Sequence, residues 1–163
     1  MTARVRPLVI RDTESRDVPT VLRLIRALAV YEKLAHEVVT TEALMREALF
    51  GPNPRAHALL CEIDGQAVGF AVWFYNFSTF VGRPGIYLED LYVEPEHRKR
   101  GIATAVFRHL AQRAVAENCG RFEWSVLNWN EPAIKFYERM GSVPMSEWHV
   151  RRLSGDTLKK LAA

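Results

Sequence analysis

Between Ile86 and Leu127 the chain reads strand, short basic loop, helix, strand, and this run limits the possible folds more than any other. Ile86 to Val93 is rich in strand-forming residues and ends at Glu94-Pro95, where a proline with no N–H to give to a ladder closes the strand. From Gly101 to about Glu117, the residues Ala103, Val106, Phe107, Leu110, Ala111, Ala114 and Val115 recur at helical spacing, and Asn118-Cys119-Gly120 supplies a stop. Phe122 to Leu127 then reads as a further strand. A helix between two strands is the connection that parallel neighbours require, so the segment predicts one βαβ unit.

The flanking sequence predicts mostly antiparallel structure. Val5 to Arg11 alternates as a first strand. Thr13 to about Lys33 carries Val18, Val21, Leu22, Ile25, Leu28 and Ala29 at steps of three and four, one amphipathic helix. A shorter helix starts at Thr40 or Thr41 and stops at Gly51-Pro52. Ala56 to Ile63 and Ala67 to Tyr75 are strands joined by Asp64-Gly65, a dipeptide suited to a tight hairpin turn that needs positive φ. Asn76 to Gly85 reads as a loop. After the βαβ unit come a helix from Glu131 to Met140, one or two strands over Val143 to Leu153, and a short terminal helix over Asp156 to Ala162. The expected class is α/β, a mixed, mostly antiparallel twisted sheet flanked by helices in the order β-α-α-β-β-β-α-β-α-β, as one domain over residues 1–163.

Charge narrows the partners. The 22 basic residues against 19 acidic ones give a net charge of only +3, mixed along the chain. That is little for a nucleic-acid surface, which also needs aromatic platforms and an extended basic face. No run approaches the roughly 18 apolar residues of a membrane span, and Met1 to Asp12 lacks the apolar core of a signal peptide. The reading is a cytoplasmic protein with no nucleic-acid or membrane partner. Cys61 and Cys119 lie far apart, without metal-ligand spacing, and read as small buried hydrophobes, so no metal is expected.

The loop Glu96-His97-Arg98-Lys99-Arg100-Gly101-Ile102-Ala103-Thr104 presses four possible cations against a helix start, where unpaired N–H groups and the helix dipole favour an anion. Small residues at Gly101 and Ala103 let a phosphate approach the backbone. The pattern lacks the GK[ST] end of a P-loop and is not GxGxxG. Alone, it fits a solvated basic helix start equally well.

Two motifs in order carry a resemblance. Arg98-Lys99-Arg100-Gly101-Ile102-Ala103, after Leu91-Tyr92-Val93, is similar to the acyl-CoA pyrophosphate loop of the GNAT acetyltransferase superfamily. Asn130-Glu131-Pro132-Ala133-Ile134-Lys135-Phe136-Tyr137, with Gly141 after it, is similar to that superfamily's N-x-x-A-x-x-F-Y segment. Within it, Leu24 to Glu32, Tyr87 to Val93 and Trp129 to Pro132 resemble diamine (spermidine/spermine) N-acetyltransferases and thialysine N-acetyltransferases. The resemblance implies the GNAT fold, acetyl-CoA as co-substrate, a small-molecule amine as acceptor, and a homodimer. Lys99 stands where those enzymes usually carry glycine, Ala103 replaces their last loop glycine, and Glu123-Trp124-Ser125 departs from their substrate wall.

Acetyl transfer to an amine needs a proton acceptor, because an alkylammonium has no lone pair at neutral pH, and a donor for the developing oxyanion. Glu89 and Asp90 sit together in an apolar strand, a costly placement unless they are paired or used. Simple alternation puts Glu89, Leu91 and Val93 on one face and Asp90 and Tyr92 on the other, unless a bulge intervenes. Glu89 facing a polar cleft suits an ammonium site and a base, directly or through water; the alternative for either acid is an ion pair with a basic neighbour. The resemblance implies the rest. Leu91, Tyr92, Val93, the loop Arg98 to Thr104 (Arg98, Lys99, Arg100, Gly101, Ile102, Ala103, Thr104), Asn130, Pro132 and Ala133 hold CoA, the Val93 N–H polarises the acetyl carbonyl, and Tyr137 protonates the leaving thiolate. Tyr31, Glu32, Asp90, Glu123, Trp124 and Ser125 form the acceptor side. A polyamine would favour an acidic cleft, for which Glu32, Glu37, Glu89, Asp90, Glu123 and Glu147 are available; an amino-acid side-chain amine is the alternative acceptor, and a non-catalytic acyl-CoA sensor the alternative role.

Overall fold

The computed structural model describes residues 7–163. Val5 and Arg6, where the opening strand was expected to begin, lie outside the described residues. Two compact units are present, one ending at Ser125 and one spanning Val126–Ala163.

The first unit is built on a five-stranded sheet in sequence order. Strands β1 (Leu8–Asp12), β2 (His57–Ile63), β3 (Gln66–Ser78) and β4 (Arg83–Val93) pair antiparallel, and β5 (Arg121–Trp124) adds in parallel to β4. That parallel pair is joined by helix α3 (Ile102–Ala116), as the sequence predicts. Helices α1 (Val18–Tyr31) and α2 (Glu42–Phe50) fill the connection from β1 to β2.

Alternation along the strands sorts the core. Val21, Leu24 and Leu28 of α1 and Leu49 of α2 close over Ala58, Leu60, Phe70, Val72 and Tyr92 of the sheet. On the other face, Phe107 of α3 meets Phe122 and Trp124 of β5 with ring centroids 5.4 and 4.8 Å apart, and the Arg113 guanidinium lies over the fully buried Trp73. Cys61 is buried and its thiol pKa is pushed up to about 12 by desolvation. Cys119 is half-buried, and desolvation followed by the charge of Glu117 raises its thiol too.

Several boundaries differ from expectation for local reasons. The segment Asn76 to Gly85 is not a loop: the β3–β4 ladder continues to Ser78↔Arg83, because a tight turn donates Gly82 N–H to the Ser78 carbonyl at 2.8 Å, with Gly82 at φ +69°. Strand β5 stops at Trp124 rather than Leu127, since its last partner on β4 is Leu88 and the next residue there, Glu89, leaves the regular register.

The second unit, taken by itself, holds α4 (Glu131–Arg139) and α5 (Gly155–Ala162). The strand or strands expected over Val143 to Leu153 do not form. Pro144 has no N–H to give, and the following residues turn, with Trp148 N–H donating to the Met145 carbonyl at 3.1 Å. Among the described residues no helix is long and apolar enough to cross a membrane.

A charged junction ties β1, β2 and the start of α1. Arg11 donates to both oxygens of Asp17 at 2.7 and 3.0 Å and to Glu62 at 2.7 Å, while Asp17 also accepts from the Glu14 N–H. The Arg11 hydrogen bonds hold the Asp17 carboxyl below its ordinary range, and both acids raise Arg11. Replacing Arg11 with Met strands a buried carboxylate and should cost about 2–3 kcal/mol in urea unfolding at neutral pH. A depressed carboxylate stabilises the fold above its unfolded pKa and loses that contribution as pH falls. The difference between Arg11→Met and wild type should therefore shrink on acidification below about pH 4.

Candidate functional site

The site starts from one irregularity. In the β3–β4 ladder Trp73 faces Leu88 and Val72 faces Asp90, so Glu89 is an extra residue with no counterpart. Cross-strand partners share a face, which puts Leu88 with Trp73 on the α3 side and Asp90 with Val72 on the α1 side. From Asp90 onward the expected split holds, with Asp90 and Tyr92 on one face and Leu91 and Val93 on the other; the bulge breaks the alternation between Leu88 and Asp90, and Glu89 lines the same cleft as Asp90.

The acids face a cleft of about 380 Å³ whose lining includes Glu32, Glu37, Glu89 and Asp90, with an apolar wall of Ile25, Leu28, Leu34 and Val39. Its geometry follows from the end of α1. Glu32 is the C-cap residue, and Lys33, at φ +63°, turns the chain so that Leu34 to Thr40 returns along the cleft. Desolvation raises the carboxyl of Asp90 most, to about 7, with the charges of Glu89 and then Glu32 adding to it. Desolvation alone raises Glu32. Glu89 itself is exposed. Four carboxylates converge on an apolar-walled cleft, two of them desolvated, which is a site for a cation rather than an anion.

The other acceptor-side residues lie elsewhere in the same unit. Tyr31 ends α1 beside Glu32. Glu123 is held by Arg121 at 2.5 Å and by the Asn76 side-chain amide at 3.2 Å, Trp124 packs on Phe107, and Ser125 shares a 2.6 Å hydrogen bond with the Tyr87 hydroxyl. None of these three lines the carboxylate cleft. The apolar wall from Leu34 to Val39 was missed in the sequence, although Leu34, Val38 and Val39 so soon after a helix were its signal.

The residues expected to hold CoA in this unit fit a pyrophosphate. After β4, Pro95–His97 makes one tight turn, and Lys99 (φ +60°) and Gly101 (φ +77°) are both left-handed before α3 begins. Gly101 is the N-cap and no side chain caps it, so the first-turn N–H groups of Ile102, Ala103 and Thr104 keep the capacity to bind an anion. Arg100 is exposed on the same loop. Leu91 is half-buried, and Tyr92 and Val93 are buried, at the end of β4. In the second unit, Asn130 is buried and caps α4, accepting from the Ala133 N–H at 3.4 Å, with Pro132 in the first turn. Tyr137 is half-buried on α4, its ring 5.5 Å from that of Phe136.

Similarity to known proteins bears on the same residues. The Acetyltransferase (GNAT) family matches residues 22–142. The chain is 37% identical over 166 residues to thialysine N-epsilon-acetyltransferase of Sus scrofa, covering 95% of this chain and 97% of that protein. It is 31% identical over 163 residues to spermidine/spermine N(1)-acetyltransferase-like protein 1 of Homo sapiens, covering 94% of this chain and 23% of that longer protein. Among solved structures, an integron cassette protein from the mobile metagenome of V. cholerae superposes with a TM-score of 0.80 at 24% identity, covering 95% of this chain and 97% of that one. This last likeness concerns the fold alone.

Two outcomes follow from this geometry. The folded state keeps the Asp90 proton up to about pH 7 while the unfolded chain releases it near 3.8, so Asp90 weakens folding progressively as pH rises through that window. Asp90→Asn should therefore be more stable than wild type at pH 8, by about 2–4 kcal/mol, with the gain vanishing near pH 4; thermal unfolding across pH reads it. At the loop, Gly101→Val forces a β-branched residue into a left-handed conformation. It should weaken CoA binding, measured by calorimetry, at least tenfold more than Lys99→Ala, since alanine tolerates φ +60° no worse than lysine.

Proposed function

Because the chain belongs to the acetyltransferase (GNAT) family and is an acetyltransferase of that kind, we propose that it acetylates the primary amine of a small cationic acceptor, by direct attack with both substrates bound. The amine of an amino-acid side chain of the thialysine type is the acceptor this reading favours. The observation that carries it is the cleft ringed by Glu32, Glu37, Glu89 and Asp90. Near-complete mutual coverage with a relative named for thialysine supports the acceptor class.

Acetyl-CoA supplies the activated thioester. The α3 N-terminus, with Gly101 and Ala103 small, binds its pyrophosphate through backbone N–H groups, and the Val93 N–H meets the charge that develops on the acetyl oxygen. The carboxylates attract the ammonium and desolvate it against Ile25 and Leu28. Asp90, with a pKa of about 7, is matched to taking a proton near neutral pH, with Glu89 beside it to pass that proton to solvent. Glu89 was the base expected from the sequence; desolvation favours Asp90 as its partner in that task. The resemblance assigns Tyr137 the protonation of the departing thiolate and implies assembly as a homodimer, while the cytoplasmic location rests on the sequence reading alone.

A polyamine acceptor is the second reading, favoured by the number of carboxylates, since four exceed what one ammonium needs. Release of CoA thiol with thialysine, ornithine-like amino acids and spermidine separates the two: kcat/KM should be at least tenfold higher for the amino acids. Glu89→Gln and Tyr137→Phe should each lower kcat by about tenfold to a hundredfold, and Asp90→Asn should raise the amine KM and flatten the rise of rate through pH 7. Intact CoA binding with no turnover across the panel would instead identify a sensor.

A further inference from the structure

The first basic residue of the phosphate loop does not reach forward to the helix start. The Arg98 Nε donates to the Val93 carbonyl at 2.8 Å, and its guanidinium carbon lies 4.7 Å from the centroid of the Tyr31 ring and 5.4 Å from that of Tyr92. Val93 is the last residue of β4, Tyr92 belongs to the apolar cluster beneath α1, and Tyr31 is the last residue of α1. One planar cation thus joins the ends of the two elements that carry the cleft acids: Glu32 follows Tyr31 directly, and Asp90 precedes Tyr92 by two residues. Arginine suits this task because its planar, delocalised cation spreads over aromatic faces while its edge still donates; a lysine ammonium cannot do both.

We propose that the Arg98 side chain is a positioning residue for the amine acceptor, a strut that fixes the spacing of Glu32 and Asp90, and not a phosphate ligand. The loop serves CoA through its backbone while its leading side chain serves the opposite substrate. Order in the loop is thereby transmitted to the cleft, because Arg98 stands between Val93 and the left-handed Lys99. The inference rests on the proposed amine acetyltransfer for its kinetic consequence but not for its structural one.

The test compares Arg98→Met, Arg98→Lys, Tyr31→Leu and Tyr31→Phe. Arg98→Met should raise the amine KM about tenfold with the CoA Kd, measured by calorimetry with CoA itself, changed less than about threefold. Amide hydrogen exchange over residues 31–37 should accelerate in the CoA-bound variant. Arg98→Lys should share the amine defect, Tyr31→Leu should reproduce it, and Tyr31→Phe, which keeps the ring that Arg98 lies over, should raise the amine KM less than Tyr31→Leu does. A CoA Kd weakened tenfold or more in Arg98→Met, or full rescue by Arg98→Lys, would make Arg98 a phosphate or general charge contact and overturn the proposal. So would unaltered exchange over residues 31–37. Should the wild-type chain acetylate no amine at all, the proposed function fails, and the exchange and CoA measurements still decide the strut.

Discussion

One extra residue in β4 organises the functional half of the sheet. With Glu89 inserted, the strand changes the face it presents between Leu88 and Asp90, and the parallel ladder to β5 ends at the same point. A regular β4 would direct Asp90 to the side of Leu88 and Trp73, into packing closed by Phe107 and its aromatic neighbours. The bulge turns that carboxylate toward the end of α1 and leaves Tyr92 to seal the apolar cluster beneath it. The local loss of ladder hydrogen bonds is modest beside the cost of an unpaired carboxylate in an apolar core.

Two groups of acids show how differently this fold treats charge. At the β1–β2 junction Asp17 and Glu62 share Arg11, every contact is short, and the carboxyl of Asp17 is depressed. In the cleft Glu32 and Asp90 are desolvated next to further acids, and their carboxyls are raised. The first arrangement stabilises the fold by pairing. The second stores repulsion that a bound cation relieves, the pattern expected where a site rather than a scaffold sets the charges. Binding an ammonium there should also expel protons, since a cation draws down the affinity of both carboxyls for them.

What the sequence disclosed follows the range of the interactions involved. The hairpin at Asp64-Gly65, the glycine before α3, and Val106, Phe107, Leu110 and Ala114 of its stripe are set by neighbours within a few residues and were legible, whereas Ala111 and Val115, expected in that stripe, are exposed and Ile102 is buried in their place. The left-handed Lys99, standing where related loops carry glycine, agrees with that position's demand for positive φ. The bulge at Glu89 was not legible, because it is a matter of register against β3 and no local residue announces it. Glu123 and Asp90 look alike in a string of letters; only the sheet gives one of them Arg121 and leaves the other facing Glu32. The strand expected over Val143 to Leu153 shows the opposite error, a favourable composition with a proline and a turn inside it.

Cys61 and Cys119 carry a practical corollary. Burial pushes the Cys61 thiol up to about 12, and partial burial with the charge of Glu117 raises the thiol of Cys119. The thiolate is the species that attacks disulfide and maleimide reagents, so the folded chain presents little of its own nucleophilic sulfur. A thiol reagent added to the working protein therefore meets Cys119 before Cys61, and reaction of the buried Cys61 would mark unfolding rather than catalysis.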